Sequence, residues 1–131
     1  MNPARPAEPP TRFADAEEIN PFKLLLDLHD RALARTAGRG RADAVLAELA
    51  LSAAVVSWWA RWQPSVIHAA LRAGADLADV ADATGLDASD VVRRWWRWVD
   101  VQMRLDIGGR PSVDPAEVRA IERRLGRGLV R

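Results

Sequence analysis

The chain has 131 residues, a net charge of +1 and no cysteine. That length suits one domain with an appendage and buries roughly 65–70% of the unfolded surface, so a core needs neither disulfide nor metal, and the missing cysteines exclude disulfide scaffolds, Cys-ligated zinc, iron–sulfur clusters and thiol enzymes. Hydrophobic residues make up 49% and charged residues 28%, an ordinary balance for a globular fold, while two His and no Tyr leave so little acid–base material that neither an enzyme nor a cofactor is expected.

Pro3, Pro6, Pro9 and Pro10 mark residues 1–14 as a disordered tail, with no apolar run of an export signal behind it. Asn20-Pro21 starts a helix: Asn caps it, and Pro takes the first position, where an N–H would go unpaired anyway. Phe22, Leu25, Leu26, Leu28, Ala32 and Leu33 recur at near-helical spacing and predict its apolar face. Gly38-Arg39-Gly40 ends it. A second helix spans about 41–62 and is apolar on almost every face, which predicts burial on several sides. Its most apolar part, 45–60, is shorter than the ~20 residues that span a bilayer, so a cytoplasmic protein without a membrane segment is expected. Gln63-Pro64 predicts a break, and a third helix runs from Pro64 through Val66, Ile67, Ala70 and Leu71 to Gly74.

Three later starts share one device. Asp76-x-x-Asp79, Asp87-x-x-Asp90 and Asp114-x-x-Glu117 each pair an acid at the cap with another three residues on. Such acids satisfy free N–H groups and suit the positive end of a helix, predicting helices over about 77–84, 88–104 and 115–125. Residues 105–113, around Gly108-Gly109, form either a small hairpin of wing type or a plain loop. The expected fold is all-α: a helical hairpin within residues 15–63, then a trihelical unit at 64–104 with an extra terminal helix, within residues 64–131. His29 and His68 stand apart from any metal-ligand spacing and read as surface or capping residues. Trp58 and Trp62 share one helix face, and Trp95 and Trp98 another, which reads as core packing, with stacking on bases or on a partner as the alternative. The neighbours Trp58-Trp59 and Trp95-Trp96 cannot both point inward, so one of each pair is half exposed.

The segment 77–91 carries the functional signal. Ala81 is small where two helices touch, and Gly85, four residues on, tolerates a left-handed turn. Leu86 then plugs the gap, with Val80 and Val91 completing a small core. This spacing resembles the helix-turn-helix superfamily of DNA-binding proteins, and residues 70–96 look like the trihelical domains of small actinobacterial regulators. The resemblance covers residues 64–104 and implies a second helix that enters the major groove of double-stranded DNA. Two positions depart from the pattern. Arg94 stands where an apolar residue is usual, leaving that packing to Val92 and Trp95, and the second helix opens on the acidic run Asp87-Ala88-Ser89-Asp90.

Charge is divided along the chain. Residues 93–131 carry a net +5, whereas 37–92 carry −3 and 1–36 carry −1. A basic stripe is what phosphates demand, and Arg suits bidentate reading of guanine. Helical spacing turns Val91, Val92, Trp95, Trp98 and Val99 inward and Ser89, Asp90, Arg93, Arg94 and Arg97 outward. Ser89, Arg93 and Arg94 are therefore the candidates for base or phosphate contact, Arg97 for the phosphate rim, and Arg104 and Arg110 for backbone contacts. The expected function is sequence-specific DNA binding in transcriptional regulation, as a homodimer held through the 41–62 helix, with no metal and no small-molecule ligand. The alternative is a helical protein–protein interaction module, antitoxin-like or part of a complex. Arginines paired with Asp79, Asp82, Asp90 and Asp100 would favour that alternative.

Overall fold

The computed structural model describes residues 9–38 and 40–129. Its elements are α1 (Phe13–Ala16), α2 (Pro21–Thr36), α3 (Ala42–Arg72), α4 (Leu77–Thr84), α5 (Ala88–Arg104), β1 (Asp106–Ile107), β2 (Arg110–Pro111) and α6 (Pro115–Leu129). The fold is all-α, and the chain divides into two compact units between Arg61 and Trp62.

The first unit has a small core of Ala16, Leu24, Ala50, Leu51 and Ala54, flanked by half-buried Ile19, Leu28 and Val55. The short helix α1 begins inside the segment read as a tail, and Ala16 is fully buried; residues 1–8 of that segment, like Arg39, lie outside the described residues. Asn20 caps α2 as expected, its side chain accepting from Phe22 N at 3.0 Å with Pro21 at the first position. The expected apolar face of α2 is corrected. Leu24 is its buried residue, while Phe22 and Leu26 are 67% exposed and Leu25 and Leu33 are exposed as well. The helix has two apolar stripes, and the one through Leu24 and Leu28 faces the core. Charged pairs bind the periphery: Arg35 Nε donates to both Glu48 oxygens at 2.8 and 3.0 Å, and Arg61 lies 3.4 Å from Glu17.

Two expectations for the next stretch fail together. Gln63-Pro64 does not break the chain, and one helix of 31 residues holds Pro64 in its interior. Proline lacks the N–H that Ala60 O needs, but the turn that loses this bond is exposed at Ala60, Arg61 and Trp62, so it is open to solvent. Nor is the helix buried on several sides: 22% of its most apolar 18-residue stretch is buried. By length and composition α3 is long and apolar enough to cross a membrane, so the argument from a short apolar segment does not hold.

The second unit has the larger core. Ile67 and Leu71 of α3, Leu77 and Val80 of α4, Val91, Trp95 and Val99 of α5, and Val113, Val118, Ile121 and Leu125 are buried together. The bounds of α4 and α5 match the sequence reading, and α6 runs to Leu129 instead of stopping near 125. The three capping devices are not equivalent. Asp76 and Asp79 form a complete reciprocal box. Asp114 accepts from Ala116 N at 2.9 Å, while Glu117 turns away to Arg72. Asp87 makes no side-chain cap bond, and the Asp90 carboxylate, the other half of a reciprocal box, is engaged by Arg93.

Candidate nucleic-acid interface

The face of α5 is set by what lies before it. Gly85 ends α4 with φ of 71°, and its N–H donates to Ala81 O at 2.9 Å. A left-handed backbone angle is where glycine carries no Cβ penalty. Thr84 Oγ1 donates to Val80 O at 2.8 Å and accepts from Leu86 N at 3.3 Å, so the turn is bonded on both sides. Ala81 and Leu86 pack half-buried on the core. Helix α5 therefore leaves the turn with Val91, Trp95 and Val99 buried and Val92 and Trp98 half-buried, the inner stripe read from the sequence. Trp96 is 38% exposed and Trp59 40%, as their positions beside Trp95 and Trp58 require, but Trp62, read with Trp58 as core packing, is itself 43% exposed.

One anchor of α5 escapes sequence reading. His68 is buried, not a surface or capping residue, and its Nδ1 accepts from Trp95 Nε1–H at 3.1 Å. Its ring also lies 4.9 Å from that of Trp98. Burial pushes the His68 pKa down, with the Arg72 cation adding to the effect and Glu117 opposing it. The imidazole is thus neutral at pH 7, and the Trp95 N–H fixes Nδ1 as the acceptor and Nε2 as the protonated nitrogen. The available signal is spacing: His68 sits between Ile67 and Leu71 on the apolar side of α3.

The six candidate residues all stand exposed in the second unit. Ser89 lies in the first turn of α5. Arg93 is held by Asp90 one turn back. Arg94 Nη1 donates to Gln63 Oε1 of α3 at 3.0 Å. Arg104 pairs with Asp100 at 2.9 Å, both side chains well exposed. Among the described residues, neither Arg97 nor Arg110 has an ion-pair partner. Asp79 and Asp82 take none of these arginines, whereas Asp90 and Asp100 each take one.

Residues 105–113 form a hairpin, not a plain loop. Asp106 pairs with Pro111 and Ile107 with Arg110 in antiparallel register. Gly108 and Gly109 supply the two positive φ angles, 63° and 82°, that a two-residue hairpin turn demands. Ser112 ties it to α5, donating to Gln102 O at 2.9 Å and Gln102 Oε1 at 2.7 Å, and Val113 enters the core. The arrangement sets Arg110 beside the turn, past the C-terminal end of the helix that carries Arg93, Arg94, Arg97 and Arg104. Among the described residues, no group of His and acidic side chains has the geometry to hold a metal ion. Comparison with known proteins finds no matching family, no matching curated protein and no matching solved structure.

Proposed function

We propose that the second unit is a helix-turn-helix module that binds duplex DNA through α5, and that the chain acts as a homodimeric transcriptional regulator in the cytoplasm. The observation that carries this reading is the outward row Ser89, Arg93, Arg94 and Arg97, standing on a helix whose opposite side is locked by Val91, Trp95 and Val99. A rigidly seated helix holds its exposed guanidinium groups in register with a groove. Arg104 and Arg110 extend the row toward the DNA backbone, which rewards every neutralised phosphate. Arg97 and Arg110 have no ion-pair partner among the described residues, and there phosphate meets no competing acid among them.

A specific observation favours the second reading, a helical protein–protein module. Arg93 and Arg104 are already paired with Asp90 and Asp100. Both are exposed pairs within one helix, however, and such pairs contribute only about 0–1 kcal/mol. A phosphate in bidentate contact offers more, so the pairing lowers affinity without preventing binding. Glu48 and Arg61, charged side chains of α3 engaged by Arg35 and Glu17 of the same unit, favour a helix packed in protein over one in a bilayer, as the cytoplasmic reading requires.

The experiment is selection of duplexes from a random pool by the full chain at near-physiological salt. Enrichment of a defined motif supports the DNA reading, and two inverted half-sites support the dimer. Absence of any enriched motif, with no binding to unselected duplex, overturns it in favour of the protein-partner module.

A further inference from the structure

Helix α3 has a second apolar side that the first unit leaves open. Its core side carries Ala47, Ala50, Leu51 and Ala54. Another row runs along it through Ala42, Leu46, Leu49, Ala53, Val56 and Ala60, all exposed. Leu49 is 60% exposed and Val56 68%. The steps along this row alternate between four and three residues, the repeat of a helix–helix seam. Glu48, the acid in the middle of this stretch, projects elsewhere and is held by Arg35. An isolated amphipathic helix would set polar residues where this seam lies.

We propose that the seam is the seat of a second copy of this chain, with the two α3 helices antiparallel about a two-fold axis that crosses the seam between Leu49 and Ala53. The inference rests on the homodimer part of the function proposed above, not on its DNA part. Three features select this occupant. The alternating four- and three-residue spacing is the repeat that lets a second helix follow the seam along its length. In the antiparallel register Leu49 of one copy meets Ala53 of the other, Leu46 meets Val56, and Ala42 meets Ala60. Large residues thus face small or medium ones, the fit that close packing demands. Charge then chooses the direction. Asp43 and Arg61 lie near opposite ends of the seam, and the antiparallel pair brings Asp43 of each copy to the level of Arg61 of the other. A parallel pair would set Asp43 beside Asp43 and Arg61 beside Arg61. Arg61 remains 63% exposed beside Glu17, so it has donors to spare. The contact is isologous and closes on itself.

The test uses the full chain without DNA. Sedimentation equilibrium at micromolar concentrations should give twice the 14.5 kDa chain mass, and Leu49→Glu should halve that mass while leaving the helical circular dichroism intact. Direction is read by cross-linking, which the absence of native cysteine makes unambiguous. Leu49→Cys chains mixed with Ala53→Cys chains should oxidise to a mixed disulfide in preference to either like pair. If Leu49→Glu fails to fold, the wild-type mass and the cysteine pairs still decide. A monomeric wild type overturns the proposal, as does preferred Leu49→Cys self-cross-linking or a chain that is monomeric alone and sediments only with lipid vesicles. A dimer that binds no DNA keeps this inference and removes the DNA reading, and a monomer that binds DNA does the reverse.

Discussion

At the residue scale, one backbone angle and one buried hydrogen bond seat the candidate reading helix. Gly85 holds φ at 71°, and a Cβ added there meets nothing within 4 Å. The cost of a side chain is therefore conformational, about 1–2 kcal/mol. Gly85→Ala is expected to lower stability by that amount, Gly85→Val by more because of its β-branch, and Gly85→Asn by less. Denaturation curves should rank the variants in that order, and an unchanged Tm for Gly85→Val removes the role assigned to the turn. This turn is legible in the sequence because its chemistry is local, spanning Ala81 to Leu86. His68 is not, because its partner Trp95 lies 27 residues away and spacing on α3 says nothing about what faces it. The pair makes stability depend on pH. With the His68 pKa lowered in the fold, the unfolded chain binds more protons than the native one between that value and the ordinary pKa of about 6.5. Stability is then full above about 6.5 and falls as pH drops from there toward the lowered folded value. Protonation also turns Nδ1 into a donor facing the Trp95 N–H. Urea denaturation at pH 7.5 and at successively lower pH should show this loss, and a His68→Gln chain should show less of it. An identical pH dependence in the two proteins would exclude His68 as its source.

At the scale of elements, local signals succeed where they are reciprocal and fail where packing overrules them. The bounds of α4 follow from its reciprocal acidic cap and the glycine turn, and α5 begins where that turn releases the chain although Asp87 makes no side-chain cap bond. The apolar face of α2 does not, because the helix carries two stripes and only the docking of α1 and α3 selects the one through Leu24. Pro64 misleads for a related reason. A proline inside a helix is a breaker on local grounds, yet Ile67, His68 and Leu71 are buried in the second unit and hold the helix beyond it. The bond missing at Ala60 O is nevertheless a real loss. Pro64→Ala restores the donor and removes the ring, while the freer unfolded chain offsets part of the gain. The variant should be more stable by on the order of 2 kcal/mol. Equilibrium denaturation against wild type checks this, and a less stable Pro64→Ala chain would mean that the proline makes contacts outweighing the lost bond.

At the scale of the whole molecule, a net charge of +1 conceals a basic C-terminal third, and that division is legible in the sequence. What the sequence leaves open is how much of this charge remains for a partner. Arg93 and Arg104 are engaged by acids on their own helix and Arg94 by Gln63, while Arg97 and Arg110 have no ion-pair partner among the described residues. Salt dependence measures the remainder directly, because each neutralised phosphate contributes about −0.9 to the slope of log affinity against log salt. If all five arginines reach phosphate, the slope per protomer is about −4 to −5. If only the two without a partner do, it is about −2. Replacing Arg97 and Arg110 with Ala should flatten the slope by about 2 in either case. Replacing Arg93 and Arg94 with Ala should flatten it only if the acids and Gln63 give those side chains up, and should also relax the selected motif if the pair reads bases. These arginines lie off the buried stripe, so an unchanged Tm is expected for both double variants, separating lost contacts from lost fold. A steep wild-type slope left unaltered by both would place the DNA elsewhere on the chain, and a flat wild-type slope would mean that the arginines serve their own acids and a protein partner instead.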